Sequence, residues 1–404
     1  MNKINPMFKK HSIYKPIRTL TQPSEPSANA GYDNILNDYI LRVNESIGDI
    51  KRYEIVEYMG RGAFGQVAKC RELGSNALVA IKITKRDPFF HQQSLREIKF
   101  LKMLNEYSDN MDGILQLYDW FLFKGHQCMV IELLSTNILQ FFTQLPERPQ
   151  LTISHIQYIA RQMLETLSVL KALNIVHTDI KPENILFKRI GDTHNVKLID
   201  FGSARYPNEP LKYPVQPTRY RAPEVILRMQ YSFPIDMWSI GCFVAELFLG
   251  KGLFPNTDEM TVLHMMVSLL QCYPPDDMLH YLYRLSVETG TSAEEIFHGD
   301  LSKSWCSLEE RIKRARSNTI LMINKEPIQH LIDFLHKVLV FDPDKRLTAD
   351  KALQHAFIQT DYSKLDKEVE TSLTQTGRKR SFHDSTLKPL KSILKKHNPD
   401  SFLS

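Results

Sequence analysis

His177-Thr178-Asp179-Ile180-Lys181-Pro182-Glu183-Asn184 is the most informative run of residues in this 404-residue chain. It places a carboxylate, an ammonium group and an amide close together on one short segment. Asp179 is expected to accept or orient the proton of an attacking hydroxyl, and Lys181 to neutralise a phosphoryl group in transfer. Asn184 is expected to hold a magnesium ion. A lone His-x-Asp more often marks a packed core histidine, so this interpretation depends on the other motifs.

A second motif, Leu198-Ile199-Asp200-Phe201-Gly202, follows downstream as an apolar strand that ends in Asp-Phe-Gly. Asp200 is predicted to be the principal magnesium ligand, because Mg²⁺ prefers a carboxylate together with phosphate oxygens. A bare Asp-Phe-Gly is more often an ordinary turn. Here Ala222-Pro223-Glu224 follows and is expected to close an activation segment.

Upstream, the run from Gly60 to Val67 spells Gly-x-Gly-x-x-Gly-x-Val. Glycines let the backbone approach phosphate oxygens closely. A dinucleotide-binding turn uses the same glycines but opens a helix, whereas Val67-Ala68-Lys69-Cys70 predicts a strand. A hairpin over a nucleotide is favoured over a merely flexible hairpin. Its candidate binding residues are Gly60, Arg61, Gly62, Ala63, Phe64, Gly65 and Val67.

The strand Val79-Ala80-Ile81-Lys82 supplies a lysine for the nucleotide phosphates, and Ala80 beside it is a further candidate binding residue. The lysine needs a carboxylate to orient it, and Glu97 on the following helix is the candidate. Ser94-Leu95-Arg96-Glu97 also spells a capping box, which is the structural alternative.

Five motifs in this order, each in a fitting local context, are a highly specific signal. Their residue types also match what phosphoryl transfer requires, namely positioning and charge neutralisation. A scaffold without catalysis is the rival from another class. It is disfavoured because Lys82, Asp179, Asn184 and Asp200 are all present.

Composition sets the broad class of the protein. Hydrophobic residues make up 43% and charged residues 24% of the chain, and the net charge is +5. A charge this small does not indicate nucleic-acid binding, and neither basic run (313–316 and 378–380) is interleaved with aromatics. The five scattered cysteines form no Cys-x-x-Cys pair, so we expect neither disulfides nor zinc but a reducing, intracellular setting. No signal peptide or membrane span is expected.

The hydrophobic pattern predicts an α+β fold, with a small strand-rich lobe followed by a large helical lobe. Residues 1–28 are polar and proline-containing and are predicted to be a disordered arm. Residues 274–325 form a less patterned insertion, although Leu308 to Arg316 favour a helix. Residues 358–404 are predicted to be a polar, basic tail.

Over residues 53–357 the chain resembles the protein kinase family, which also carries motifs like Asp236-Met237-Trp238-Ser239-Ile240-Gly241-Cys242. The resemblance implies the bilobal kinase fold, with lobes of about 53–134 and 135–357. It implies ATP with Mg²⁺ as cofactors and protein substrates carrying Ser or Thr. It further implies a gatekeeper, an adenine-binding hinge, and a pair between Arg346 and Glu224. The gatekeeper and hinge positions added to the ATP-binding set are Ile131, Glu132 and Leu134.

Within the family, Tyr220-Arg221-Ala222-Pro223-Glu224 and the long insertion resemble the CMGC group. Gly31-Tyr32-Asp33-Asn34 and Asp38-Tyr39-Ile40-Leu41, within residues 29–50, resemble the homology box that precedes the catalytic domain of DYRK kinases. The Yak-type subgroup is the most similar. This resemblance implies dual specificity, with autophosphorylation of a tyrosine in the activation segment.

Two features depart from the DYRK pattern, and a third separates the chain from a related family. Aligned on Gln216 and Arg221, the second tyrosine of the DYRK activation segment falls on Pro214, so autophosphorylation at Tyr213 is a hypothesis. Thr178 replaces the Arg that precedes the catalytic Asp in many kinases, which predicts less dependence on an activation-loop phosphate. The CLK (LAMMER) family, acting on Arg/Ser-rich proteins, has Thr at the position of Thr178 and is the alternative. Its Leu-Ala-Met-Met-Glu-Arg motif, however, is Leu-His-Met-Met-Val-Ser here, at 263–268.

We expect a monomer that acts on proteins and binds neither nucleic acid nor membranes. Cytoplasm and nucleus are the expected locations. The basic runs at 313–316 and 378–380 are candidate nuclear-import signals, although a solvated basic surface is the favoured interpretation.

Overall fold

The structure is a computed structural model that describes residues 18–107, 112–144, 151–189, 192, 194–210, 215–290, 306–315 and 325–365. The described chain divides into two compact units. The first contains the described residues up to Ser94 together with Leu117–Leu133. The second contains Leu95–Gln116 and the described residues from Leu134 onward.

The first unit is built on a six-stranded antiparallel sheet with the order β1-β2-β3-β4-β6-β5. Alternate residues of β4, such as Val79, Ile81 and Ile83, point into one buried cluster, as the period of two in a strand requires. Tyr39 and Leu41 belong to that cluster, so the segment before the sheet completes its core. The strands are β1 (Ser46–Ile47), β2 (Tyr53–Gly62), β3 (Gly65–Glu72), β4 (Leu78–Thr84), β5 (Leu117–Phe123) and β6 (His126–Ile131).

Residues 18–28 differ from the predicted disordered arm. Thr19 forms a bridge with Arg42, and the Leu20 N–H donates to the Leu41 carbonyl at 2.8 Å. The buried Thr21 hydroxyl bonds to the Tyr39 carbonyl and to Gln66. Polar side chains and backbone groups hold this segment in place, which is why a composition argument based on apolar content missed it. Residues 1–17 lie outside the described part of the chain.

The segment resembling the homology box is held to the sheet by a buried carboxylate. Asp33 is fully buried, and its side chain accepts hydrogen bonds from Arg86 Nε at 2.6 Å and Asn29 Nδ2 at 2.9 Å. His126 Nε2 lies 2.8 Å from the same carboxylate. Burial opposes ionisation, but these partners outweigh it and hold the pKa of Asp33 below its ordinary value.

The helix that follows β4 is α1 (Pro88–Tyr107), and the division between the two units falls within it. Asp87 caps its start, since Asp87 Oδ1 accepts from the Phe89 N–H at 2.8 Å. Ser94 is therefore buried inside the helix, and the capping-box alternative for Ser94–Glu97 is wrong. The stronger start signal was the Asp87-Pro88 pair.

The second unit is mainly helical and is centred on the nearly all-buried helix α5 (Pro234–Leu249). Trp238 of α5 is fully buried, and Gly241 approaches Leu339 so closely that a Cβ would clash with it. Its longer helices are α2 (Ile138–Gln144), α3 (Ile153–Ala172), α5 (Pro234–Leu249), α6 (Glu259–Leu270), α7 (Asp276–Thr289), α8 (Leu308–Ala315) and α9 (Glu326–Val338). Its short elements are β7 (Ile185–Phe187), β8 (Val196–Leu198), α4 (Pro223–Ile226), α10 (Ala349–Ala352) and α11 (Ala356–Gln359).

Two boundaries differ from the sequence prediction. The region predicted as a less patterned insertion contains α7, whose Met278, Leu282 and Leu285 are buried at helical spacing. The polar tail predicted from residue 358 begins later, because α11 spans that residue and both Tyr362 and Leu365 are buried. Most of the tail, residues 366–404, lies outside the described part of the chain, as do 291–305 and 316–324.

We predict that Asp33→Ala destabilises the protein by about 2–3 kcal/mol at neutral pH, because it leaves the fully buried His126 ring without its carboxylate partner. Since the pKa of Asp33 is lowered on folding, its contribution is present above the ordinary carboxyl range and is lost as pH falls through the folded pKa. Urea unfolding of wild type and variant as a function of pH measures both effects. Asp49→Ala, at an exposed position, is the control; equal losses in both variants would contradict the prediction.

Candidate active site

The glycine-rich segment forms the β2–β3 hairpin of the first unit, which pairs from Gly62↔Gly65 to Tyr53↔Glu72 with two register shifts in between, at Ile55–Glu57 and Tyr58–Gly60. Gly65 is required at the turn because its φ is +152° and a Cβ there would lie 2.2 Å from the Ile83 carbonyl oxygen. The strand predicted after the glycines is confirmed, which separates this hairpin from a dinucleotide-binding turn. Arg61, next to the first glycine, is paired with the buried carboxylate of Asp38 at 2.5 Å.

Lys82 lies in β4 directly opposite Val67 of β3. Only 6% of Lys82 is exposed, and its Nζ lies 3.8 Å from the centroid of the Phe64 ring at the tip of the hairpin. An ammonium group over an aromatic face is a favourable arrangement. Ala80 of the same strand pairs with Ile131 at the end of β6, and Glu132 follows directly. The first unit therefore brings together the hairpin, the lysine and the gatekeeper position.

The second unit brings together Asp179, Lys181 and Asn184. Lys181 Nζ donates to both carboxylate oxygens of Asp179 at 2.9 Å. Asn184 Nδ2 donates to the carbonyl and to Oδ2 of Asp179, both at 2.8 Å. Leu134 and Glu97, predicted from sequence for the ATP site, also belong to this unit, and both are buried.

The two-stranded sheet explains why Asn184 and Asp200 are neighbours. Asn184 immediately precedes β7, and Asp200 lies two residues after β8, and these strands pair antiparallel with Ile185 opposite Leu198. The Ile199 N–H donates to the Asn184 carbonyl at 2.9 Å, so the ladder continues to the edge of the site. Asp200 has the left-handed φ of 64°, which turns the chain sharply after the strand.

The residues Asn184 and Asp200 fit a magnesium ion by their chemistry. Because Nδ2 of Asn184 is the donor in both of its bonds to Asp179, the amide presents its oxygen elsewhere. An amide oxygen and a carboxylate are hard oxygen ligands of the kind that Mg²⁺ binds together with phosphate oxygens and water.

Burial raises the pKa of Asp179, and the negative charge of nearby Asp200 adds to the shift. The charge and the hydrogen bonds of Lys181, together with Asn184, act in the opposite direction. His177 does not share in this chemistry. Burial lowers the pKa of its ring, whose Nε2 lies 3.0 Å from the Ile199 carbonyl and whose Nδ1 accepts the Asp179 N–H at 3.2 Å.

Sequence reasoning gave no site role to Asp236, whose side chain binds the backbone of the catalytic loop. This fully buried carboxylate accepts the N–H groups of His177 at 2.6 Å and Thr178 at 2.9 Å. Thr178 has a φ of 67°, a conformation that β-branched residues rarely adopt. Its hydroxyl donates to the Ser203 carbonyl at 2.8 Å, so Thr178 links the catalytic loop to the segment after Asp-Phe-Gly. The sequence feature that could have indicated this role is the kinase-like motif that begins with Asp236-Met237-Trp238.

Two sequence expectations concern the activation segment. The pair between Arg346 and Glu224 is confirmed: both side chains are fully buried and two N–H···O bonds of 2.7 and 2.9 Å join them. Tyr213 lies outside the described residues, together with 211, 212 and 214.

With this geometry in place, the class of protein follows. The profile of the protein kinase domain matches residues 53–358, and the chain belongs to the protein kinase family. Members of this family use ATP and a divalent metal ion to phosphorylate proteins. Within the part of the chain that the structure covers, none of the helices combines the length and apolarity needed to cross a bilayer.

Among its relatives, the chain is 36% identical over 411 residues to serine/threonine-protein kinase ppk15 of Schizosaccharomyces pombe, covering 93% of this chain and 76% of that protein. It is 35% identical over 389 residues to dual specificity protein kinase YAK1 of Saccharomyces cerevisiae, covering 88% of this chain and 48% of YAK1. Dual specificity tyrosine-phosphorylation-regulated kinase 4 of Homo sapiens is 33% identical over 343 residues, covering 84% and 64%. The chain thus spans about half of YAK1, and the resemblance to DYRK kinases of the Yak type is confirmed.

We predict that Lys181→Met raises the pKa of Asp179 further above its ordinary value. Burial already favours the neutral acid, and the variant removes the cation and the two hydrogen bonds that oppose burial. Carboxyl ¹³C chemical shifts measured across a pH titration report this pKa directly. Lys188→Met, which removes the partner of exposed Asp112, is the matched control and should leave the titration of Asp179 in place. An unchanged or lowered pKa in Lys181→Met would contradict the analysis.

Proposed function

We propose that this protein is an ATP- and Mg²⁺-dependent protein kinase of dual specificity that phosphorylates Ser and Thr of protein substrates. The observation that carries the proposal is the hydrogen-bonded group of Asp179, Lys181 and Asn184. A carboxylate, a cation and a metal-ligating amide within bonding distance are what hydroxyl attack on a phosphoryl group needs. The relatives named as dual specificity kinases support the specificity.

In this proposal Asp179 orients the incoming hydroxyl and accepts its proton. Its contacts to Lys181 and Asn184 fix the direction of the carboxylate before the substrate arrives. The Lys181 ammonium lies where it can also neutralise charge that develops on the transferring group. The burial that raises the pKa of Asp179 makes it a better base than an exposed carboxylate would be.

In this proposal the metal ion and the nucleotide bind to residues that the structure describes. Asn184 and Asp200 would hold Mg²⁺, which when bound neutralises phosphate charge. In the first unit, Lys82 and the backbone N–H groups of Gly60–Val67 would bind the phosphates of ATP. A bound phosphate would compete with the Phe64 ring for the Lys82 ammonium.

We predict that Asp179→Asn lowers kcat for phosphorylation of a mixed peptide library by at least about a hundredfold, because the amide cannot accept the hydroxyl proton. Transfer from labelled ATP with saturating Mg²⁺ measures the effect, and the labelled peptides reveal the sequence preference. Asp277→Asn, an exposed position on α7, is the control. Wild-type protein without any transfer would instead favour a scaffold that binds partners without catalysis.

We further propose that the chain autophosphorylates Tyr213, by its resemblance to the DYRK activation segment. The tyrosine is displaced by one position relative to that pattern, so the identity of the modified residue needs a direct test. Phosphopeptide mapping of active protein purified after bacterial expression is expected to find phosphate on Tyr213 and none in the Asp179→Asn variant. Active enzyme with unmodified Tyr213 would refute this assignment.

A further inference from the structure

The segment after Asp-Phe-Gly carries an acidic residue at a point where two arginines converge. Glu209 Oε1 accepts a hydrogen bond from Arg96 of α1 at 2.8 Å and lies 3.8 Å from Arg205 Nε. The second carboxylate oxygen of Glu209 accepts the Tyr206 N–H at 3.3 Å. Burial opposes ionisation, but these partners outweigh it and hold the pKa of Glu209 below its ordinary value. Glu209 is therefore a fixed negative charge between two cations.

A second contact joins the same segment to the same face of α1. The ring of Tyr206 packs edge-on against Phe100 with centroids 5.4 Å apart, and Lys99 Nζ lies 5.2 Å from the centroid of Tyr206. The Tyr206 hydroxyl lies 3.8 Å from Met103 Sδ. The helix residues in both contacts are Arg96, Lys99, Phe100 and Met103, which at this spacing form one stripe along the helix. The two contacts together fix the position of this part of α1 and its rotation about the helix axis.

The other side of the segment is attached to the catalytic loop. Arg205 and Val176 exchange two backbone hydrogen bonds of 2.8 and 2.9 Å. Thr178 donates to the Ser203 carbonyl, and the Asn208 N–H donates to the Tyr231 carbonyl at 3.1 Å. A continuous set of contacts therefore runs from the loop of Asp179 through residues 203–209 to α1. Glu97, which immediately follows Arg96, takes its orientation from the part of the helix held in this way.

We propose that Glu209 is a positioning residue that supplies, as a permanent carboxylate, the anionic link between helix α1 and the activation segment that other kinases obtain by phosphorylation. The inference rests on the proposed kinase function. Phosphorylation orders such segments by placing an anion opposite arginines. Here Glu209 already meets Arg96 and Arg205, which repel each other. Many kinases have a further arginine at the position of Thr178. Because this chain has none there, the Glu209 carboxylate faces two cations, Arg96 and Arg205.

A merely structural surface ion pair is the alternative explanation. The Arg96 and Glu209 side chains are 36% and 27% exposed, and pairs of this exposure contribute little to stability. The two explanations therefore differ in what a variant does. A surface pair changes neither catalysis nor the dynamics of α1, whereas a positioning residue changes both while leaving the melting temperature nearly constant.

The test uses the full chain with Glu209→Gln, which keeps the shape and loses the charge. We expect kcat/KM to fall roughly threefold to thirtyfold, and amide hydrogen exchange across residues 95–107 to become faster. We expect Tm to change by no more than about 3 °C. Arg96→Met should have the same effect, and the double variant should be no worse than either single one, because both remove one interaction. Glu209→Asp should recover part of the activity.

The matched control is Glu309→Gln, which breaks an exposed pair with Lys313 on α8 and should change neither readout. Unchanged kcat/KM or unchanged exchange in Glu209→Gln would overturn the proposal, as would additive losses in the double variant. A wild-type chain without transferase activity would refute the proposed function alone. Hydrogen exchange would still decide whether Glu209 holds α1, because that readout needs no catalysis.

A phosphatase experiment tests whether the link between Glu209 and α1 is independent of phosphorylation. Wild-type protein treated with a nonspecific phosphatase, and shown by mass spectrometry to be free of phosphate, should keep at least about half of its kcat/KM. The same treatment should leave the exchange across residues 95–107 unchanged. Faster exchange after phosphate removal would show that a phosphate, rather than Glu209, holds the helix, and would overturn the proposal.

Discussion

The catalytic loop depends on the hydrogen bonds between its backbone and the buried carboxylate of Asp236. A carboxylate without solvent is unfavourable unless its oxygens are bonded, and burial raises the pKa of Asp236 accordingly. Both oxygens accept backbone N–H groups, those of His177 and Thr178. These bonds hold Thr178 in a left-handed conformation that a β-branched residue avoids, and the turn they stabilise directs the next residue, Asp179, to Lys181 and Asn184. The loop is therefore shaped before any substrate binds.

The second unit contains another buried charged contact outside the catalytic loop, the pair of Glu224 and Arg346. The Glu224 and Arg346 side chains are fully enclosed, and Arg346 also donates to the carbonyls of Val340 and Pro234. Such a pair adds little net stability compared with apolar residues, but breaking it leaves an unpaired buried charge. The activation segment ends at Glu224, so its end is fixed to the helical core with a single geometry. The start of the segment is fixed by its hydrogen bonds to Val176 and Thr178.

The candidate catalytic residues could be proposed from sequence because phosphoryl transfer admits few residue types and the chain order of the motifs adds independent constraints. Asp179, Asn184 and Lys82 fall where their motifs place them on loop and strand. Residues 18–28 and α7 were missed for a different reason. The first are held by backbone bonds and by the Thr21 hydroxyl, and the second begins after two prolines and buries only part of one face. Residues 18–28 have no apolar periodicity, and three apolar residues at helical spacing in α7 are too few to identify a helix from the sequence alone. Glu209 had no signal, because an isolated glutamate in a loop acquires meaning only from the arginines beside it.

The charges of the activation segment form a consistent pattern. Arg219 donates to the Phe254 carbonyl and lies 3.8 Å from Glu246 of α5. Arg221 donates to the Gln216 carbonyl and pairs with Glu259 of α6, which Arg228 also contacts. Each of these cations thus already has a carboxylate supplied by the helical core. Burial alone would raise the pKa of Glu259, but the hydrogen bonds and charges of Arg228 and Arg221 outweigh it and lower the pKa, so the carboxylate stays ionised over the physiological range. An added phosphate would have to displace a carboxylate that is already in place, and this reduces what phosphorylation can contribute to ordering the segment.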